Sequence, residues 1–289
     1  MNWVVYVFGS GLAFFAGVGC MLAALAVSFG RWQGWSRIST LAAILGIVLI
    51  VLSGTPLPMW FYGLAILLAA AWLIVRRFRP DVWPRWRNGL CLSVALVWVG
   101  GAIFELRYQL LPDVTAVASR QLTLFGDSLS AGINERETNN WPQLLARSHD
   151  LDFSNYSRAG ATVAVALRRA NDASIKGGIV LLEIGGNDLL GSTPVEDFDR
   201  DLEALLKRVC QPGRQVVMFE LPIPPLYNEF GRVQRRLAAQ YQVLLIPKRV
   251  LIGELAGEGS TLDSIHLSAE GHKRMAESVW QIIRPAYDR

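Results

Sequence analysis

Lysine is absent from the first 111 residues, which hold eight arginines and only two acids, Asp81 and Glu105. The rest of the chain carries 20 Lys+Arg against 22 Asp+Glu, so the net charge of +4 divides into +6 before Pro112 and −2 after it. The basic balance therefore belongs to arginines beside apolar runs. No Lys/Arg stripe with interleaved aromatics marks a nucleic-acid surface, and no nucleic-acid partner is expected. Cysteine is scarce. Cys20, Cys91 and Cys210 lack CxxC spacing and support neither a zinc site nor a disulfide framework, which leaves them as small apolar packing residues. Histidine is scarcer still, with His149, His266 and His272 the whole supply. No metal ligand set and no cofactor motif is present.

Long apolar runs are abundant where charge is lacking: Trp3–Phe29, Ile38–Leu52, Met59–Val75 and Leu90–Leu111. A spanning helix needs about 20 mostly apolar residues. Four runs of this kind predict a four-helix transmembrane region over residues 1–111, with the second and third runs near the lower limit. The first run has no basic residue ahead of it and exceeds the apolar core of a signal peptide, so it is expected to be a retained helix. Five arginines fall in Arg76–Asn88 and two in Gly30–Arg37, while Ser53–Pro58 has none. Positive loops stay cytoplasmic. This places the protein in the bacterial cytoplasmic membrane as a multi-pass chain, with everything after Leu111 outside, in the periplasm of a Gram-negative cell. Glu105 and Arg107 fit the end of a helix leaving the bilayer.

From Pro112 to the end, short apolar strands alternate with helical periodicity. Strands are expected at Gln121–Phe125, Phe153–Tyr156, Ile179–Ile184, Gln215–Leu221 and Val243–Ile246. Helices are expected at Trp141–Arg147, Thr162–Ala173, Val195–Val209, Glu229–Tyr241 and Ala269–Tyr287. In the third of these, Phe198, Leu202, Leu205, Leu206 and Val209 share one face. The alternation predicts an α/β domain over 112–289: a parallel five-stranded sheet flanked by helices in a flavodoxin-like three-layer sandwich. Ligands bind such sheets at the carboxyl ends of the strands.

Those ends carry the chemistry. After the first strand comes Gly126-Asp127-Ser128-Leu129, a serine at a strand-to-helix turn. After the second, "NYSRAGAT" puts Gly160 in a turn. After the third come Gly185, Gly186, Asn187 and Asp188. Near the C-terminus Asp263 and His266 stand three apart, ahead of a helix that Ser268 is placed to cap. Each element alone is an ordinary turn feature. Their joint occurrence in this order, from about Arg120 to Ile283, resembles the SGNH (GDSL-type) hydrolases. Within that superfamily, "FGDSLSAG", Trp141-Pro142 and "LLEIGGNDLLG" are most similar to the bacterial acyl thioesterase/lysophospholipase/arylesterase group. The N-terminal third departs from that group.

The resemblance implies a serine hydrolase with Ser128 as nucleophile, His266 as general base and Asp263 orienting the imidazole. It implies an oxyanion hole made of the Ser128 and Gly160 N–H groups and the Asn187 amide, with no metal and no cofactor. Asp127 and Asp188 are expected to bind backbone N–H groups in their own turns. The expected activity is that of a membrane-embedded serine esterase, acting on acyl esters of lipids or lipid-linked envelope molecules. The alternative is an O-deacetylase or acyltransferase acting on envelope glycan. Four spans exceed what a tether needs. They would set the active site over lipid, or dock a membrane-protein partner or a second copy.

Overall fold

The computed structural model describes residues 3–28, 33–78, 83–132, 139–257, 259, 261 and 267–288. It divides into two compact units. One comprises Met1–Ser10, Leu110–Ile223 and Glu229–Arg289, and the other Gly11–Gln109 and Pro224–Asn228.

The N-terminal third holds α1 (Trp3–Gly9), α2 (Leu12–Val27), α3 (Gln33–Leu52), α4 (Met59–Phe78) and α5 (Trp83–Leu106). The first apolar run, expected as one helix, is broken between α1 and α2. Gly11 adopts φ 86, a left-handed conformation that interrupts the helical ladder. Among the described residues, Arg85–Gln109 is long and apolar enough to cross a membrane alone, and α1 with α2 qualifies as a bent pair. Arg37–Leu52 and Met59–Val75 are shorter apolar helices, so by length the expected four spans reduce to one, or two with the bent pair. Inside this unit α2 and α3 touch backbone to backbone. A Cβ on Gly17 would lie 2.7 Å from the Gly46 carbonyl oxygen, and one on Gly46 would lie 2.8 Å from that of Gly17. Small residues at facing positions are how apolar helices approach this closely. The Ser39 hydroxyl donates to the Ala24 carbonyl at 2.7 Å across the same pair. Phe14, Met21, Trp72 and Trp98 fill the shared core. Glu105, in the last turn of α5, is buried, while the Arg107 guanidinium lies 3.9 Å from the Phe104 ring centre.

The C-terminal part alternates as β1 (Gln121–Gly126), α6 (Ser128–Ala131), α7 (Trp141–Ser148), β2 (Asp152–Asn155), α8 (Val163–Asp172), β3 (Gly178–Glu183), α9 (Gly186–Leu190), α10 (Val195–Val209), β4 (Arg214–Phe219), α11 (Asn228–Gln240), β5 (Leu244–Ile246), α12 (Lys248–Ala256) and α13 (Ala269–Ile283). The sheet order is β2-β1-β3-β4-β5, with every pairing parallel. All residues of β1 and β3 are buried, as required of central strands covered on both faces. One face packs against α8, α10 and α11 and the other against α7, α12 and α13. The five apolar residues read as one face of α10 are all buried. Helix α1 belongs to this unit and lies on α12, where a Cβ on Gly9 would meet Ile252 at 2.8 Å. Helix α12 was not expected from the periodicity. Pro247 precedes it and Gly253 interrupts it, so its apolar stripe is short.

In this order the chain reverses its direction of winding between β1 and β3. The crevice outside the carboxyl ends of those two strands is where doubly wound sheets bind ligands. Ser128 follows β1 and Asn187 follows β3.

Candidate active site

Strand β1 ends at Gly126, where only a missing side chain fits: a Cβ there would lie 2.6 Å from Ser130 Cβ. Asp127 then caps α6, its Oδ1 accepting the Leu129 N–H at 3.0 Å, as expected of a residue bonding its own turn. Ser128 is the first residue of α6 and is half-buried. The N–H groups that follow it are taken up by Asp127, Leu129 by the side chain and Ser130 and Ala131 by the backbone carbonyl at 3.2 and 2.8 Å.

Gly160 sits in the turn after β2 at φ +70, with open space where a Cβ would be. Backbone strain therefore favours glycine here, rather than crowding. The turn is pinned to the serine segment, because the Arg158 N–H donates to the Gly126 carbonyl at 3.0 Å. Asn187 stands in α9 and reaches both neighbours. Its Nδ2 donates to the Ala161 carbonyl at 3.0 Å and to Asp127 Oδ2 at 3.3 Å. Two facing acceptors identify this atom as the nitrogen. Ser128, Gly160 and Asn187 thus lie on three loops joined by hydrogen bonds. Both amide protons of Asn187 have protein acceptors, the one toward Asp127 being the longer bond.

Asp188 binds a backbone N–H, as expected, and reaches beyond its own turn to do so. Its Oδ2 accepts the Val163 N–H at 2.8 Å, at the start of α8. Thr162, at the cap position of α8, supplies no side-chain bond, so the aspartate caps that helix from a distance. Burial holds the Asp188 carboxyl above its ordinary range.

Asp263 and His266 lie outside the described residues. On either side of them, Thr261 and Leu267 form an antiparallel bridge, and Ser268 caps α13 by accepting the Gly271 N–H at 3.0 Å. One turn further on, His272 is buried. Its Nδ1 accepts the Trp141 N–H at 3.2 Å, which makes that nitrogen the unprotonated one. The preceding Asn140 caps α7 and donates from Nδ2 to the Ala131 carbonyl at 3.1 Å. Two hydrogen bonds therefore lead from the start of α13 to the helix bearing Ser128. His149 is half-buried and stacks on Trp280 with ring centres 3.7 Å apart.

Two further residues of the site, Glu183 and Ser130, stand inside the quoted motif blocks without a role assigned from sequence. Glu183 is buried at the end of β3, in register with Gly126 of β1. Its Oε2 accepts the Ser130 hydroxyl at 2.7 Å and lies 3.4 Å from the Asp127 backbone nitrogen. A lone acid in the apolar run "IVLLEI" was the available cue.

Residues 124–274 match the GDSL-like Lipase/Acylhydrolase family. Esterase TesA of Pseudomonas aeruginosa is 29% identical over 181 residues, covering 58% of this chain and 90% of the relative. The arylesterase of Vibrio mimicus is 30% identical over 176 residues, covering 57% and 88%. Thioesterase 1/protease 1/lysophospholipase L1 of Escherichia coli is 28% identical over 180 residues, covering 59% and 86%. The crystal structure of TesA superposes with a TM-score of 0.51 at 28% identity, over 57% of this chain and 99% of that one. The family match begins past the N-terminal third, and each of these relatives covers 57–59% of this chain.

Proposed function

The chain belongs to the GDSL-like lipase/acylhydrolase family and is a serine hydrolase acting on esters; we propose that it is a membrane-embedded esterase that cleaves acyl esters of lipids or lipid-linked envelope molecules on the outer side of the cytoplasmic membrane. The observation that carries the catalytic part is the meeting of Ser128, the Gly160 turn and Asn187 at the switch point of the sheet. In this reading Ser128 Oγ attacks the acyl carbonyl while His266 takes its proton and Asp263 holds the imidazole tautomer. The proton is then returned to the departing alcohol. Water repeats the sequence to release the acid. The oxyanion is received by the Ser128 and Gly160 N–H groups and by the Asn187 amide. Asn187 would turn to the oxyanion the proton it now shares with Asp127, since the 3.3 Å bond is the weaker of its two.

The membrane part is supported by the surface of the N-terminal helices. Leu41, Ile66, Leu67, Leu92 and Ile103 are each more than half exposed, and water-soluble surfaces rarely carry apolar patches on this scale. Arg85–Gln109, 25 residues long and apolar, would run roughly 40 Å, more than the thickness of the hydrocarbon core. The arginine distribution supports the outward orientation, and the names of the esterase and lysophospholipase relatives suit an acyl substrate.

The test is a comparison of wild type with Ser128→Ala. A fluorophosphonate probe should label the wild type and not the variant, and lipid profiling of the two strains should show one acyl-ester species accumulating in the variant. Equal labelling would overturn the nucleophile. An unchanged lipid profile with altered acetylation of envelope glycan would move the substrate to the glycan.

A further inference from the structure

The register of β1 and β3 brings two carboxyl groups to adjoining strand ends. Gly126 pairs with Glu183, so Asp127 emerges beside the glutamate, and the two residues are 5% and 4% exposed. The Asp127 N–H donates to the Glu183 backbone carbonyl at 3.1 Å and to Glu183 Oε2 at 3.4 Å, so the glutamate carboxyl lies against Asp127. Two carboxyls in such contact and out of water do not both ionise; they share a proton.

Which of them keeps the proton follows from their partners. Asp127 accepts a backbone N–H at Oδ1 and the Asn187 amide at Oδ2, bonds that favour its ionised form. Glu183 accepts the Ser130 hydroxyl at 2.7 Å and, more weakly, the Asp127 N–H at 3.4 Å, but burial together with the adjacent Asp127 charge outweighs these bonds and keeps its carboxyl well above the ordinary range.

We propose that Glu183 is a positioning residue of the esterase site: it stays protonated, donates that proton to Asp127, and thereby sets how tightly Asp127 holds the Asn187 amide. The inference rests on the esterase reading and adds a residue to it. With the Glu183 proton bound to it, Asp127 is a single, partly satisfied anion. It is strong enough to aim the amide and weak enough to yield a proton of Asn187 to the growing oxyanion. Were Glu183 ionised, two negative charges would lie next to the place where a third must develop. Were it apolar, Asp127 would keep its full demand on the amide, and Ser130 would lose its acceptor. The bonds place Glu183 behind Asp127, so its effect reaches substrate only through the Asp127–Asn187 pair.

The experiment uses the full-length chain in detergent with p-nitrophenyl butyrate as probe. Glu183→Gln, which is neutral and can still donate to Asp127, should stay within about threefold of wild type in kcat. Glu183→Leu should lose at least tenfold in kcat with KM within about threefold and with the melting midpoint nearly kept. The double variant Glu183→Leu/Asn187→Ala should be no slower than Asn187→Ala alone, because both changes disable one device. Independent losses that multiply would overturn the proposal, and so would a Glu183→Leu enzyme within threefold of wild type. If Glu183→Leu does not fold, Glu183→Gln decides: a folded Gln variant with less than a tenth of wild-type kcat overturns the inference, since the acid would then act ionised. Ser128→Ala is the separate control. Turnover that persists in Ser128→Ala defeats the esterase site itself, whereas its loss beside an indifferent Glu183→Leu defeats only the role of Glu183.

Discussion

At the scale of single residues, the site is a set of hydrogen bonds with one bond to spare. Asn187 has two amide protons and two protein acceptors, so its contribution to an oxyanion comes from exchanging the longer bond. Losing one such donor costs about 2.7–4 kcal/mol of transition-state stabilisation. Asn187→Ala should therefore lower kcat by roughly 10²–10³ with KM within a few-fold, as steady-state assays on a p-nitrophenyl ester would reveal. A loss below threefold at unchanged stability would make Asn187 a turn residue only. Glu183 also predicts a pH effect on folding, with Asp127 the charged group against it. The unfolded chain gives up the Glu183 proton near the ordinary pKa of 4.5, whereas the folded chain retains it to higher pH. The folded state then binds more protons than the unfolded state, and stability falls as pH rises from 4.5 through the raised folded pKa. Glu183→Gln removes that term, so its melting midpoint relative to wild type should climb over the same window. A difference that stays flat with pH would show that the glutamate ionises normally. Cys210 offers a third residue-scale test. Burial pushes its thiol up to about 11, so at pH 8 it should react with iodoacetamide far more slowly than free cysteine, as mass spectrometry would register.

At the scale of elements, each helix is held by something outside itself. Helix α8 has no side-chain cap of its own and borrows Asp188 from α9. Helix α10 shows its stripe in the sequence and buries all of it. Leu206→Ala should cost about 2–5 kcal/mol, the usual range for a core leucine, measurable by urea unfolding of the sheet domain. In the helical unit the contact between Gly17 and Gly46 allows an internal comparison. Gly46→Val should lower the melting midpoint in detergent, because its side chain would strike the Gly17 carbonyl. Gly19→Val should not, since nothing lies within 4 Å of a Cβ at Gly19. Equal effects at the two positions would mean that α2 and α3 do not meet backbone to backbone.

At the scale of the whole molecule, an ester hydrolase shares its chain with a helical unit whose helices α2 to α5 lie outside the family match. The proposed arrangement makes a plain topological prediction. A reporter active only in the periplasm should be active when fused after Leu111 and silent when inserted in Arg76–Asn88. The opposite pattern would place the hydrolase in the cytoplasm and remove envelope molecules from its substrates.

Much of the hydrolase was legible in the chain because its signals are local. Alternation of apolar residues, the face of α10 and the turn glycines depend on neighbours a few positions away. Expected Val195–Val209 and observed α10 coincide, and β1 runs one residue past its expected end. The four motif blocks likewise name the family by themselves. Tertiary structure decided what depends on distant partners. The break at Gly11 divides a run that composition alone reads as one helix. His272 is buried because Trp141, 131 residues earlier, donates to it. Asp188 reaches α8, 25 residues earlier, and Asn187 finds its acceptors 26 and 60 residues away. The pairing of Glu183 with Asp127 exists only because β1 and β3 lie side by side in the sheet, at a register that brings two acids to one buried place.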